Sequence, residues 1–376
     1  YLRLLRINRF HLLKKKRIVI LYSEPGIWTE EEQNISLDEI RKMEDGLVSL
    51  GLKVSHMKVG TDNLNDLDRL DPKKIIVLNW CEGFGDDDFD YFTVPNKLDE
   101  LGIMYTGGSP ESLRLTADKE ETKQVLISAK VPTPKSKIYH GQDANGWKKF
   151  PALVKPSREH CSYGITRDSV VDDSGQLHKR VDEMLLTHGN GVMVEDFIEG
   201  AEYNVAVWGN DQPEVLPIGM IDYSGFEDYH DRLCGYEAKW ITGSEQWNKT
   251  LVVCPAPMSD DLKKRVEKVA LDTYRACGLR DYARVDIRVR GDRPYVLDVN
   301  ANPDITTDGG FARSANRAGY SYGEAIAKIL CLSLDREPKF AKVKKDEVNL
   351  APAGSVRLNV AFVGNASAFG RVDDWD

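Results

Sequence analysis

Residues 283–304 read ARVDIRVRGDRPYVLDVNANPD and carry the pattern that is most informative about the fold. It predicts a hairpin of two strands, 284–290 and 295–300, joined by a turn at Gly291 and Asp292. Because side chains alternate along a strand, one face is predicted to be polar and the other apolar. The polar face carries Arg284, Asp286, Arg288, Asp298 and Asn300, and the apolar face carries Val285, Ile287, Val289, Tyr295, Leu297 and Val299.

Two carboxylates and an amide oxygen beside an arginine suit Mg²⁺ that is bound to substrate phosphates. The alternative is an ordinary amphipathic hairpin whose charged face is solvated. Asn302, Pro303 and Asp304 follow directly and predict a turn that ends the second strand just beyond the candidate ligands.

Composition indicates a globular protein with a sizeable core. The 376 residues are 41% hydrophobic and 30% charged, and no apolar run approaches the length of a membrane helix. We expect no integral membrane segment and no secretory signal. Six cysteines without a C-x-x-C pair favour a reducing, cytoplasmic location over a disulfide scaffold or a zinc site.

Charge is unevenly distributed along the chain. Residues 1–17 carry seven basic side chains and no acidic one, whereas the whole chain has a net charge of −9. The acidic body does not favour a nucleic-acid partner. The basic segment is expected to be a poorly ordered extension, or alternatively a helix on an anionic surface.

Strand and helix patterns alternate between residues 17 and 108, from a buried apolar strand at 17–22 to a short strand at 103–105, which predicts a parallel α/β sheet. The acidic loop at 79–90 follows one of these strands, where such sheets place ligand contacts, although a solvated loop fits equally well. Further on, 212–220 is predicted to be a strand and 222–252 a long loop. Residues 259–277 are predicted to form an amphipathic helix with Ser259 as its N-cap, and 322–332 a closing helix.

Phosphate-binding glycine motifs of the P-loop and dinucleotide types are absent from the sequence. Lys119, Lys155 and Lys239 instead stand far apart at predicted strand or loop ends. A single lysine is usually a surface charge. Three lysines around an oxygen-ligand hairpin could form a cationic cradle for a polyphosphate.

The order of motifs resembles the ATP-grasp superfamily, and within it the D-alanine–D-alanine ligases. The resemblance covers about residues 18–332. Its motifs are GGSPESLRLTADKEETK (107–123), VKPSREHCSYG (154–164), MVEDFIEGAEY (193–203), YEAKW (236–240), RVDI (284–287), LDVNANP (297–303) and AGYSYGEAIAKIL (318–330).

The resemblance implies an ATP-dependent carboxylate–amine ligase that uses two Mg²⁺ or Mn²⁺ ions and works through an acyl phosphate. It implies that Arg284 stabilises the tetrahedral species and that Lys239 reaches the γ-phosphate from a closing loop. The implied ATP contacts are Lys119, Lys155, Glu195 to Ile198, Glu202 and Leu297, and the implied metal ligands are Asp286, Asp298 and Asn300.

The amino-acid side of the site departs from the family pattern. Glu32 is the best counterpart of the ammonium-binding glutamate, while Cys161 and Trp240 stand where a serine and a tyrosine are usual, with Ser162 beside Cys161. Gly309 replaces a serine that anchors the second substrate. In addition, Asp298 stands where the family has a glutamate, and Asp304 stands where it has a glycine.

Asp304 and Asp308 make this end acidic, which suits an amine or cationic group better than a second carboxylate. Alternatively, Asp304 caps the following turn. We therefore expect a ligase whose substrates, small carboxylates and amines such as amino acids, are not two D-alanines. The alternatives are an authentic D-alanine–D-alanine ligase and a non-catalytic ATP-binding protein.

The resemblance implies an α/β protein with an N-terminal parallel α/β domain and two ATP-grasp lobes. Family members often form homodimers through the first lobe, so a homodimer is one expectation for this chain. The predicted divisions are a basic extension (1–17), an N-terminal domain (18–117), a central lobe (118–200), a C-terminal lobe (201–332) and a C-terminal extension (333–376).

Overall fold

The computed structural model describes residues 7–336 apart from 25, 27, 82, 85–90, 142–143, 159–161, 163 and 189–190. Most of the predicted C-terminal extension and part of the acidic 79–90 loop therefore lie outside the described residues. The described chain forms two compact units, residues 7–110 with 320–336 and residues 111–319. No helix within these ranges is long and apolar enough to cross a membrane.

Helices and strands alternate in the first part of the chain, and the later strands form two antiparallel sheets. The helices are α1 (Ile7–Lys15), α2 (Glu30–Ser49), α3 (Thr93–Glu100), α4 (Pro110–Ala117), α5 (Lys119–Ser128), α6 (Ser174–His188), α7 (Tyr236–Trp240), α8 (Glu245–Lys249), α9 (Asp260–Ala276), α10 (Gly310–Arg317) and α11 (Tyr322–Leu334). The strands are β1 (Arg17–Tyr22), β2 (Lys53–Lys58), β3 (Ile75–Trp80), β4 (Ser136–Tyr139), β5 (Ala152–Pro156), β6 (Val170–Val171), β7 (Val192–Asp196), β8 (Ala201–Trp208), β9 (Glu214–Val215), β10 (Gly219–Asp222), β11 (Leu251–Val253), β12 (Tyr282–Arg290) and β13 (Arg293–Asn300).

The first unit contains the predicted parallel sheet. Its strands run in the order β2-β1-β3, and Arg17 pairs with Lys53 on one side and Ile75 on the other. The apolar run of β1 is buried after its first residue, as expected for a parallel strand covered on both faces. The short strand expected at 103–105 is reduced to a bridge between Val77 and Tyr105.

Helix α11 belongs to the first unit because it packs on α2. A Cβ atom on Gly323 would lie 2.2 Å from the Gly46 carbonyl oxygen, so the contact requires glycine. Residues 7–15 form helix α1, so this part of the basic segment is not a poorly ordered extension. Leu13 is fully buried, and Arg9 pairs with Asp335 at 2.7 Å.

The second unit contains two antiparallel sheets. One has the order β11-β10-β8-β12-β13 with β9 beside β8, and the other has the order β4-β7-β5-β6. Helix α9 packs on β8, β12 and β13, and α6 packs on β5. As predicted, Ser259 caps α9, accepting a hydrogen bond from the Leu262 amide.

Two predictions in this unit need correction. The strand expected at 212–220 is two short strands, β9 and β10, with Pro217 between them, because proline cannot donate a ladder hydrogen bond. The loop expected at 222–252 contains α7, α8 and most of β11, which pairs with β10 through Ile221 and Val252.

The hairpin predicted in residues 283–304 is present as β12 and β13, with Gly291 at φ +65° in its turn. A β-bulge shifts the register, so Asp286 faces Asp298 but Ile287 faces Val296. The predicted apolar face is therefore wrong at two positions, because one extra residue reverses the alternation beyond it. Tyr295 lies opposite Arg288, and Leu297 faces a cavity instead of the core.

Candidate active site

A cavity in the second unit is lined by residues from both antiparallel sheets and from α5, α7 and α10. Most of the predicted site residues lie on its wall, although they are spread over almost 190 positions of sequence. Those that line it are Lys119, Lys155, Ser162, Glu195, Ile198, Glu202, Lys239, Arg284, Asp286, Leu297, Asp298, Asn300 and Asp304.

A buried cluster of two lysines and one glutamate forms one wall. The Glu195 carboxylate forms ion pairs with Lys155 at 2.6 Å and with Lys123 at 2.7 Å. Lys123 also donates to the Thr133 hydroxyl and the Pro134 carbonyl, each at 2.9 Å. Burial by itself would raise the pKa of Glu195, but the two ammonium groups outweigh it and lower that pKa. Glu195 therefore stays ionised and fixes both lysine side chains.

A second buried ion pair lies at Glu202. Its Oε2 atom accepts from Arg288 Nε at 2.8 Å and from the Tyr223 hydroxyl at 3.1 Å. Arg288 also donates to the Ile198 carbonyl at 3.2 Å, and its guanidinium lies over the rings of Phe197 and Tyr223. Burial disfavours the charge on Arg288, yet Glu202 raises the pKa of the guanidinium overall. Both hydrogen-bond donors, Arg288 and Tyr223, bind the same oxygen of Glu202, which holds the carboxylate in one orientation.

The polar face of the hairpin is centred on Asp286. Arg284 donates to both of its oxygens, at 2.8 and 3.0 Å. The amides of Asn204 and Asn300 donate to the same carboxylate at 2.8 and 3.3 Å. Because Asp286 faces both Asn204 and Asp298 across neighbouring strands, these groups are brought together by strand register.

The end of the cavity beyond the hairpin is formed by Asp304 and the start of α10. Asp304 accepts from the Thr306 amide at 2.8 Å and from the Thr306 hydroxyl at 2.9 Å. It thus caps the turn, as the alternative interpretation expected, and it also lines the cavity. Gly309 is the N-cap of α10, and its neighbour Gly310 reaches the cavity wall.

The segment expected to close over the site contacts the loop after β5. Ser162 donates to the Cys234 carbonyl at 2.7 Å, and the Tyr236 amide donates to the Ile165 carbonyl at 3.0 Å. These bonds hold helix α7, which places Lys239 on the cavity wall.

Three predicted substrate contacts are placed differently or not described. Glu32 lies in the first unit, where its carboxylate accepts from the Thr29 amide at 2.7 Å and from the Thr29 hydroxyl at 2.8 Å in a capping box. Cys161 lies outside the described residues, as does the side chain of Trp240. Their substrate roles stay predictions.

Comparison with known proteins agrees with this arrangement. The family model described as D-ala D-ala ligase C-terminus matches residues 124–331, more than half of the chain. The chain belongs to the D-alanine–D-alanine ligase family. It is therefore an ATP-grasp enzyme, an ATP-dependent carboxylate–amine ligase that forms C–N bonds.

Relatives of the chain include proteins with and without a stated activity. An uncharacterized protein, y4sG, of Sinorhizobium fredii is 34% identical over 68% of this chain and 73% of its own. A D-alanine–D-alanine ligase of Maridesulfovibrio salexigens is 27% identical over 81% of this chain and 95% of its own. The crystal structure of the Bacillus anthracis D-alanine–D-alanine ligase complexed with ATP has the same fold, with a TM-score of 0.67 at 22% identity, covering 86% of this chain and 99% of that one.

Sequence reasoning missed several residues that shape the site of this family member. Lys123 stands four positions after Lys119 on α5, one helical turn away, and that spacing was the available signal. Asn204 lies two positions after Glu202 on β8, so it shares the face of Glu202. Arg288 belongs to the predicted polar face of the hairpin, and the fold shows that its partner is Glu202. Arg313 on α10 also lines the cavity, and no sequence pattern indicates it.

Proposed function

We propose that this ligase phosphorylates the carboxylate of one small molecule with ATP and joins it to the amine of another, releasing ADP and phosphate. We further propose that the two substrates are not both D-alanine. One observation carries this proposal: the cavity combines a complete set of predicted ATP contacts with an acidic end formed by Asp304.

The ATP contacts are proposed from the residues that converge on the cavity. Lys119, Lys155 and Lys239 would bind the phosphates. Their position around the same cavity supports this role. The backbone from Glu195 to Ile198 would meet the adenine edge, Leu297 would pack under the ring and Glu202 would hold the ribose hydroxyls. The fixed orientation of Glu202 by Arg288 and Tyr223 supports this role, because a preorganised acceptor loses little freedom on binding.

The donor set at the hairpin fits Mg²⁺. Asp286, Asp298 and Asn300 supply hard oxygen atoms on one wall, and Mg²⁺ is commonly held by one or two carboxylates together with substrate phosphates. When bound there, Mg²⁺ supplies charge neutralisation at the phosphates.

The chemistry of both steps explains why these side chains are needed. In the first step a carboxylate approaches the γ-phosphate, and the lysines offset the repulsion between the two anions. In the second step an oxyanion develops as the amine attacks the acyl phosphate. We propose that Arg284 stabilises it by about 3 kcal/mol, the typical contribution of one oxyanion donor. The segment containing Lys239 would exclude water, which otherwise hydrolyses an acyl phosphate.

The proposed substrate class follows from the residues that depart from the family pattern. Cys161 and Trp240 lack the hydroxyl groups of the usual serine and tyrosine, since Cys is a weak hydrogen-bonding partner and Trp only donates. Gly309 offers no side chain to a second carboxylate, and Asp304 adds an acid beside it.

ADP release tests the proposal. The full chain is incubated with Mg-ATP and a panel of carboxylates, amino acids and amines, and we expect turnover that requires both a carboxylate and an amine. Full turnover with D-alanine alone would instead favour an authentic D-alanine–D-alanine ligase. Tight Mg-ATP binding without turnover on any pair would contradict the proposal.

A single substitution tests the metal assignment. Asp286→Asn keeps the shape of the side chain but removes the charge that binds Mg²⁺, so we expect ADP formation to be abolished. Asp292→Asn on the hairpin turn is the matched control, because Asp292 is exposed and pairs with Arg265 away from the cavity. Normal activity of Asp286→Asn would refute the metal assignment.

A further inference from the structure

Asp304 differs from other carboxylates on the cavity wall in the way that it is held. Glu195, Glu202 and Asp286 each form a direct ion pair with a lysine or an arginine. Asp304 accepts hydrogen bonds from the amide and hydroxyl of Thr306, and no basic side chain of the described residues lies within ion-pair distance of it. A carboxylate that is paired with a cation is a poor proton acceptor, so Asp304 is the better base of these four.

The position of Asp304 depends on the glycine at 309. A Cβ atom built on Gly309 would lie 2.9 Å from Asp304 Oδ2, so the carboxylate occupies the space of a side chain at that position. The Thr306 amide donates to Oδ1 of Asp304 and the Thr306 hydroxyl donates to Oδ2, which fixes the plane of the carboxylate. Each oxygen keeps a lone pair for a further donor. The geometry therefore provides a rigid acceptor at the end of the cavity where the amine would enter.

The groups around Asp304 keep its pKa in a range where its carboxylate can act as a base. Burial, opposed by the Thr306 hydrogen bonds, raises the pKa of Asp304 to about 6, with Asp308 also raising it and Arg284 lowering it. Tyr282 on the neighbouring strand stays neutral, because burial raises its pKa far above neutrality. Arg313 on α10 and Asp298 on β13 are further charged groups on the cavity wall. A base is most effective when its pKa lies close to the operating pH.

We propose that Asp304 is the catalytic base of the second step, accepting the proton from the ammonium form of the amine substrate. This inference rests on the proposed function. A primary amine is mostly protonated at neutral pH and cannot attack until one N–H proton leaves. That proton passes to an Asp304 oxygen, and the freed lone pair forms the C–N bond. The C–O bond to phosphate then breaks, and the second N–H proton leaves with the phosphate.

The test compares an ordinary amine with hydroxylamine, whose nitrogen is unprotonated at neutral pH and needs no base. ADP release is measured for the wild-type chain and for Asp304→Asn, with the same carboxylate panel. The asparagine can still accept from Thr306, so the turn is kept. We expect kcat/KM for the amine to fall by about 100-fold to 10,000-fold, the usual contribution of a general base. Turnover with hydroxylamine should stay within about threefold.

The pH profile separates a base from a merely structural residue. With the wild-type chain, kcat/KM for the amine should rise through an inflection near pH 6, and Asp304→Asn should lose that inflection. Asp308→Asn should shift the inflection to lower pH, because Asp308 raises the pKa of Asp304. Asp292→Asn on the exposed hairpin turn is the matched control and should leave both turnover and the inflection unchanged.

Two results would overturn the inference. One is amine turnover by Asp304→Asn within threefold of the wild type, and the other is an equal loss with hydroxylamine and amine. Failure of the proposed function gives a different result, since the wild-type chain would then release no ADP with hydroxylamine and any carboxylate.

Discussion

Replacing Lys123 by methionine tests the buried cluster on which the cavity wall rests. The substitution keeps the length of the side chain but removes the ammonium group that contacts Glu195 at 2.7 Å and Thr133 and Pro134 at 2.9 Å. Glu195 is only 1% exposed, so water cannot replace the lost donor. The carboxylate would then depend on Lys155 alone.

The expected loss of stability follows from these contacts. Breaking a buried ion pair by removing one partner costs about 3–5 kcal/mol. Lys155 stays at 2.6 Å, which favours the lower limit of about 3 kcal/mol. The Pro134 carbonyl, which loses the Lys123 donor, adds about 1 kcal/mol. The total of about 4 kcal/mol corresponds to a decrease in Tm of about 8–16 °C for a unit of roughly 200 residues.

Thermal unfolding of the full chain measures this decrease, with Lys179→Met as the matched control. Lys179 is 80% exposed on α6, and its loss should change the free energy of unfolding by less than about 0.5 kcal/mol. A double-mutant cycle with Glu195→Gln should show a coupling energy of at least about 1 kcal/mol between Lys123 and Glu195. A Tm within 2 °C of the wild type, which is about 1 kcal/mol or less, or strictly additive effects, would refute the reasoning.

Three further predictions concern the same unit. Arg288→Met should weaken Mg-ATP binding by about tenfold or more, because it removes the buried charge-assisted hydrogen bond that orients Glu202. Calorimetric titration measures this change, and an unchanged Kd would contradict the role of Glu202. Gly200→Ala should lower Tm markedly, because Gly200 has a φ of +149° and the new Cβ would lie 1.8 Å from the Val289 carbonyl oxygen. The control Gly278→Ala should lower Tm less, because the space around Gly278 is open. The pKa of Glu195 is lower in the folded state than its ordinary value of 4.5. Glu195 therefore stabilises the fold fully when the pH is above 4.5, and this contribution should disappear as the pH falls through the folded-state pKa. Acid unfolding followed by circular dichroism should be less steep in Glu195→Gln, and an identical acid transition would argue against this assignment.

Much of the local structure could be predicted because its causes are local. The apolar run of β1, the Ser259 cap of α9 and the turn at Gly291 all act through residues a few positions apart, and the structure confirms each of them. The ordered series of motifs was likewise visible in the sequence, and the family comparison confirms the ATP-grasp fold that it implied. The division of the second unit into two lobes and the substrate contacts stay predictions.

Sequence patterns were enough to predict many of the helices and strands, the hairpin of β12 and β13, and the family of the chain. Which distant groups meet depends on the tertiary structure. The bulge at Leu297 reverses the alternation within β13, and no periodicity signals such a shift. The Lys123 contact with Glu195 joins residues 72 positions apart, and the Arg288 contact with Glu202 joins residues 86 apart. Such pairs depend on strand register and helix packing, which are set by the burial of the whole core rather than by any short stretch of sequence.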